Sequence, residues 1–130
     1  MDLEKLLGDR LAPALEAVAG APVDPAVRRS QHADFQSDAA LPLAHRLGRQ
    51  PRDTAADVLH RADLTDVCTR TEVSGPGFIN LTVADDVLAT LLGSMAGGER
   101  LGVNKVDAPE TVVVDYSAPN VPDRPDCARA

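Results

Sequence analysis

The sequence predicts an α+β fold, a small antiparallel sheet with helices packed on it. Three observations predict it. Apolar residues recur at three- and four-residue steps near the N-terminus and again over residues 87–95. The period changes to two over residues 67–73, and Gly75-Pro76-Gly77 separates that run from a second β-rich one. With 130 residues, the chain fits one small domain that buries roughly two thirds of its unfolded surface.

In chain order, Leu3, Leu6, Leu7, Leu11, Ala14, Leu15 and Val18 form one stripe of an amphipathic helix over residues 2–19. Asp2 suits its N-cap and Glu4 the positive end of its dipole. Pro13 removes a backbone donor, which predicts a bend or interruption, and Gly20 and Pro22 close the helix. After a Pro22–Pro25 connector, residues 27–35 carry Arg28, Arg29, His32 and Asp34 and read as a short edge strand followed by a turn. Ser37 is the expected N-cap of a second helix that runs to about Leu47, with Pro42 in its first turn and Gly48 at its stop. A third helix opens near Pro51, with Ala55, Val58 and Leu59 inward and Arg52, Asp53 and Asp57 outward.

Val67, Thr69, Thr71 and Val73 then alternate with Cys68, Arg70 and Glu72, which marks a strand. Gly supplies positive φ and Pro fixes its own, so Gly75-Pro76-Gly77 turns the chain, and residues 78–83 pair back as a second strand. Asp85 and Asp86 open a last helix, whose expected buried stripe is Val87, Leu88, Leu91, Leu92 and Met95, and Gly97-Gly98 ends it. Residues 110–116 hold Val112-Val113-Val114, an apolar run suited to a buried strand. Residues 122–130 are polar and proline-rich, with nothing to bury, which predicts disorder.

Composition narrows the function. Hydrophobic residues at 44% and charged ones at 25% are globular values. Two Phe, one Tyr and no Trp leave an aliphatic core, so Phe35, Phe78 and Tyr116 each invite a question. The net charge of −7 argues against a freestanding nucleic-acid binder held by a basic surface, DNA binders included. It leaves room for a module that touches RNA locally. Cys68 and Cys127 lack metal-ligand spacing, as do His32, His45 and His60, and no nucleophile–base arrangement stands out. No catalytic or metal residue is therefore assigned. With neither an N-terminal apolar signal nor an 18-residue apolar run, a cytoplasmic protein with reduced thiols and no membrane partner is expected.

Three segments, in order, resemble arginyl-tRNA synthetases. The first is Ala33-Asp34-Phe35-Gln36-Ser37-Asp38, then Leu43-Ala44 and Leu47-Gly48-Arg49-Gln50-Pro51-Arg52. The second is Val73-Ser74-Gly75-Pro76-Gly77-Phe78-Ile79-Asn80-Leu81, similar to the family's Gly-Pro-Gly-(Phe/Tyr)-Ile-Asn signature. The third is Val112-Val113-Val114-Asp115-Tyr116-Ser117-Ala118-Pro119-Asn120, which in the family leads into the catalytic domain. The family continues from there to a His-x-Gly-His signature, whereas here Pro122-Asp123-Arg124-Pro125-Asp126 follows. The resemblance therefore implies an N-terminal domain over 1–110, the start of a missing catalytic domain over 111–121, and a divergent tail over 122–130, as in a gene truncated or broken in frame.

The resemblance also implies the ligand. The family's N-terminal domain contacts the D-loop of arginine tRNA, and its contacts fall on Phe78 and Asn80. An aromatic face can stack on a splayed base, and a carboxamide can donate to and accept from a base edge. From the residues alone, a core Phe78 and an edge-filling Asn80 are the favoured reading, and the resemblance reverses it. Gln36 is a secondary candidate. Arg46 and Arg49, three residues apart, are phosphate candidates if one helical face carries both, although Gly48 lies between them and Asp34, Asp38 and Asp53 lie nearby. Ser117 and Asn120 resemble arginine-pocket residues. ATP and Mg2+ belong to the full-length family and not to these 130 residues, so the chain alone is expected to be inactive as a ligase. The alternative is a protein-interaction module that docks on an intact synthetase or self-associates.

Overall fold

The computed structural model describes residues 2–103 and 105–115. Helix α1, Leu3–Ala19, buries Leu7, Leu11, Ala14 and Leu15. Asp2 Oδ1 accepts from the Glu4 N–H at 3.0 Å, and the Gly20 N–H, in a left-handed residue, donates to Glu16 O at 2.8 Å. The helix runs unbroken through Pro13, contrary to the interruption expected from its missing donor. Tertiary burial supplies most of a helix's stability, and the leucine stripe on both sides of Pro13 outweighs one lost hydrogen bond.

Four strands form one antiparallel sheet: β1 (Val27–Arg29), β2 (Phe35–Ser37), β3 (Cys68–Ser74) and β4 (Phe78–Val83), in the order β1-β2-β4-β3. The β3–β4 hairpin and the edge position of β1 match the sequence reading; β2 does not. Residues 35–37 had been assigned to a turn and a helix cap, yet all three are buried in the sheet. Ser37 is not an N-cap. Its hydroxyl donates to Pro25 O and accepts from the Ala39 N–H at 3.4 Å, tying the entry of β1 to the exit of β2. Helix α2, Ala40–Leu47, starts at Ala39 with no side-chain cap and stops at left-handed Gly48. Helix α3, Pro51–Arg61, opens on its proline as expected.

The core lies between α1–α3 and one face of the sheet. Leu7, Leu11, Leu15, Leu43, Ala55 and Val58 from the helices meet Phe35, Ile79, Leu81 and Val83 from the strands. A register irregularity between Cys68 and Arg70 interrupts the alternation of β3 after the buried Cys68, and Val67, in the turn before the strand, is buried as well. Burial, with Asp34 and Asp66 adding, pushes the Cys68 thiol up to about 11.

Two expectations about burial fail. Helix α4, Asp85–Ala96, has no fully buried residue: Val87 and Leu88 are half-buried and Leu92 is 64% exposed. Only its first turns lie against the core, so its apolar stripe outruns the surface that could cover it. Val112–Val114 form no strand and Val113 is 88% exposed. An apolar run becomes a buried strand only beside a partner strand and beneath a second layer, and the described residues offer it neither. Tyr116, Ser117, Asn120 and residues 122–130, the expected disordered tail, lie outside the described residues. Among the described residues, no helix is long and apolar enough to cross a membrane.

Leu11→Ala should lower unfolding free energy by about 3 kcal/mol, because it leaves a cavity in the core. Leu92→Ala should change it by less than about 0.5 kcal/mol. Urea titrations of the two variants check this; similar losses from both would contradict the observed burial.

Candidate functional site

The pairing register builds the site. Arg28 of β1 lies opposite Gln36 of β2, Gln36 opposite Asn80 of β4, and Asn80 opposite Glu72 of β3. Side chains alternate across a strand, so with Phe35, Ser37, Ile79 and Leu81 turned to the core, this row of four polar residues crosses the opposite face. A groove of about 920 Å³ lies over that face. The row lines it together with Ser74 and Phe78.

Phe78 is half-buried, at the first position of β4 and directly after the Gly75-Pro76-Gly77 turn. The turn needs its glycines. Gly75 has φ +51 and Gly77 φ +141, and a Cβ on Gly77 would sit 2.9 Å from the backbone of Pro51.

The two amides of the floor differ in how they are satisfied. Ser30 Oγ donates to Gln36 Oε1 at 3.1 Å, and Gln36 Nε2 donates to Asp38 Oδ1 at 3.2 Å. Both ends of Gln36 are thus occupied, and the residue is 8% exposed. Asn80, 4% exposed, donates from Nδ2 to Ser74 Oγ at 2.9 Å, while its Oδ1 has no hydrogen-bond partner. A covered acceptor without a donor costs about 1–3 kcal/mol. Asn80 therefore carries an unspent capacity to accept one hydrogen bond.

Three charged side chains line the groove, and two of them are paired, while Arg29 makes no ion pair among the described residues. Arg28 donates from Nε to Asp38 Oδ2 at 2.7 Å, and Arg70 from Nη2 to Glu72 Oε2 at 2.6 Å. Among the described residues, no group of His, Cys, Asp and Glu could hold a metal ion.

Of the residues singled out from the sequence, Gln36, Phe78 and Asn80 come together here. Arg46 and Arg49 do not. Arg46 is in the last turn of α2, left-handed Gly48 separates the two, and Arg49 Nη1 pairs with Asp57 Oδ2 at 3.3 Å, away from the groove lining. The shared helical face expected for them does not form. Sequence reasoning missed Glu72 and Ser74 as lining residues and gave Arg28 only a place in an edge strand. The pairing that aligns them depends on β2, which carries only three residues and no alternation long enough to read.

The family profile described as "Arginyl tRNA synthetase N terminal domain" matches residues 1–83. An arginine–tRNA ligase of Thermobifida fusca is 46% identical over 123 residues, covering 92% of this chain and 21% of the relative. One from Cronobacter sakazakii is 44% identical over 126 residues, covering 93% and 22%. The chain thus spans about a fifth of the length of these relatives. Among solved structures, the arginyl-tRNA synthetase of Plasmodium falciparum shares the fold at TM-score 0.67 and 15% identity, over 75% of this chain and 19% of that one. That of Thermus thermophilus does so at 0.58 and 20%, over 75% and 16%.

Gly77→Ala should destabilise the chain by about 2 kcal/mol, since it adds both a contact with Pro51 and an unfavourable backbone conformation. Gly93→Ala serves as the comparison, because its new Cβ would meet nothing within 4 Å. Equal melting temperatures for the two variants would show that the turn is not seated as described.

Proposed function

The chain belongs to the arginyl-tRNA synthetase N-terminal domain family, and on that premise we propose that its open sheet face takes a nucleotide from the D-loop of arginine tRNA. The domain would then serve arginine–tRNA ligation by a protein of its relatives' length. Residues 1–110 are the proposed RNA-contacting unit and residues 111–121 the proposed start of the next domain. Ser117 and Asn120, as arginine contacts, rest on the family resemblance alone.

The observation that carries the reading is the unpartnered Oδ1 of Asn80 beside the half-buried ring of Phe78. A base laid on the ring gains on the order of 1–3 kcal/mol from stacking. An N–H on its edge can then supply the donor that Asn80 lacks. Because Oδ1 is itself covered, the approach requires the side chains above it to shift. Gln36, held by Ser30 and Asp38, walls the same floor and limits where the base can sit. Phosphate attraction is limited, since Arg28 pairs with Asp38 and the chain carries −7 overall, which leaves Arg29 as the unpaired cation of the lining. Affinity is therefore modest, and base contacts hold a larger share of it than in a basic RNA-binding domain.

A second reading, in which the chain docks on an intact synthetase or on itself, is favoured by the exposure of Leu92 and Val112–Val114. Size-exclusion chromatography with and without full-length arginyl-tRNA synthetase tests it. Co-elution or a dimer peak supports docking; a monomer in both runs removes it.

For the groove, titration of the folded chain with an arginine tRNA transcript should show Phe78→Ala and Asn80→Ala each weakening binding about tenfold. If both variants bind as the parent does, the groove is not the site.

A further inference from the structure

Arg52 lies in the first turn of α3, and in sequence it reads as one of several outward cations. In the structure its Nη1 donates to the carbonyl of Gly75 at 2.6 Å. The contact joins α3 to the tip of the β3–β4 hairpin, 23 residues away in the chain. Two further contacts bear on the same tip. A Cβ on Gly77 would come within 2.9 Å of Pro51, so the turn lies directly on the N-terminus of α3. A Cβ on Gly75 would come within 3.3 Å of the Phe78 ring, so the ring leans back over the same turn. Otherwise the tip is held by little: the Gly77 N–H donates to Ser74 O at 3.2 Å, and Gly75 and Pro76 are exposed.

We infer that Arg52 is a positioning residue, which clamps the hairpin tip to α3 and so fixes the ring of Phe78 at the mouth of the groove. The clamp rests on the proposed function only for its consequence in RNA binding; its mechanical part stands without it. A hydrogen bond from a charged donor constrains the carbonyl more tightly than a neutral one does. Nη1 of the guanidinium is engaged with that carbonyl. Arg52 is exposed, so its removal loosens the tip without opening the core.

The test uses the full chain with Arg52→Met, which keeps the stem and removes the donors, and Arg52→Lys, which restores one donor. Without RNA, amide hydrogen exchange at Gly77 and Phe78 should speed up about tenfold in Arg52→Met and return towards the parent rate in Arg52→Lys, with Leu11 unchanged in both. Unchanged exchange at the tip overturns the clamp. With arginine tRNA, Arg52→Met should weaken binding about fivefold, Arg52→Lys should recover most of it, and the dependence of affinity on salt should stay the same. A salt dependence reduced by about one phosphate contact would make Arg52 a phosphate ligand and overturn the positioning role. Phe78→Ala, run beside them, separates the outcomes. If it weakens binding while Arg52→Met does not, the positioning role falls and the groove stands. If neither weakens binding, the groove reading falls, and the exchange rates alone decide whether the tip is clamped.

Discussion

Pairing of β2 with β4, in the register that sets Gln36 opposite Asn80, is the constraint on which the rest of the molecule depends. A slip of one residue would turn Ile79 and Leu81 out of the core and bring Asn80 into it. Burial of those two aliphatic side chains, at roughly 2 kcal/mol each, therefore holds a polar row in place on the face they leave. The same register lines up Arg28 and Glu72 at the two edges of the row, each beside its own counter-charge. The site is the reverse side of the core. What stabilises one arranges the other.

Energetically the two amides of the floor do different work. Gln36 is held at both ends and serves as a fixed wall, whereas Asn80 is held at one end and leaves an acceptor unmatched. Among the described residues, this deficit sits at the centre of the polar row that crosses the four-stranded sheet. Stacking and one hydrogen bond amount to a few kcal/mol, which compares with the loss expected from an acidic surface facing a phosphate chain.

Much of this was legible in the sequence, for identifiable reasons. The leucine spacing of α1, the Pro51 start of α3 and the Gly75-Pro76-Gly77 turn are local signals, and each element formed where those signals stand. Phe78 and Asn80 were singled out by family resemblance, and the pairing register brings both to the groove. β2 was hidden because three residues cannot display a period, and Ser37 carries the chemistry of a helix cap although its hydroxyl is used between strands. Arg46 and Arg49 share no helical face, because a left-handed glycine ends α2 between them and spacing on a helix does not carry past it. Leu92 and Val112–Val114 misled because hydrophobicity reports what a segment can bury and not whether a neighbour is present to bury it.

The most direct measurement is a residue-resolved footprint of arginine tRNA on the chain, read as amide shift changes in a two-dimensional nitrogen–proton spectrum. Binding in the groove predicts perturbations at Gln36, Glu72, Phe78 and Asn80, with Arg46 and Arg49 unaffected. Perturbations confined to the α2–α3 surface, with the polar row silent, would contradict it.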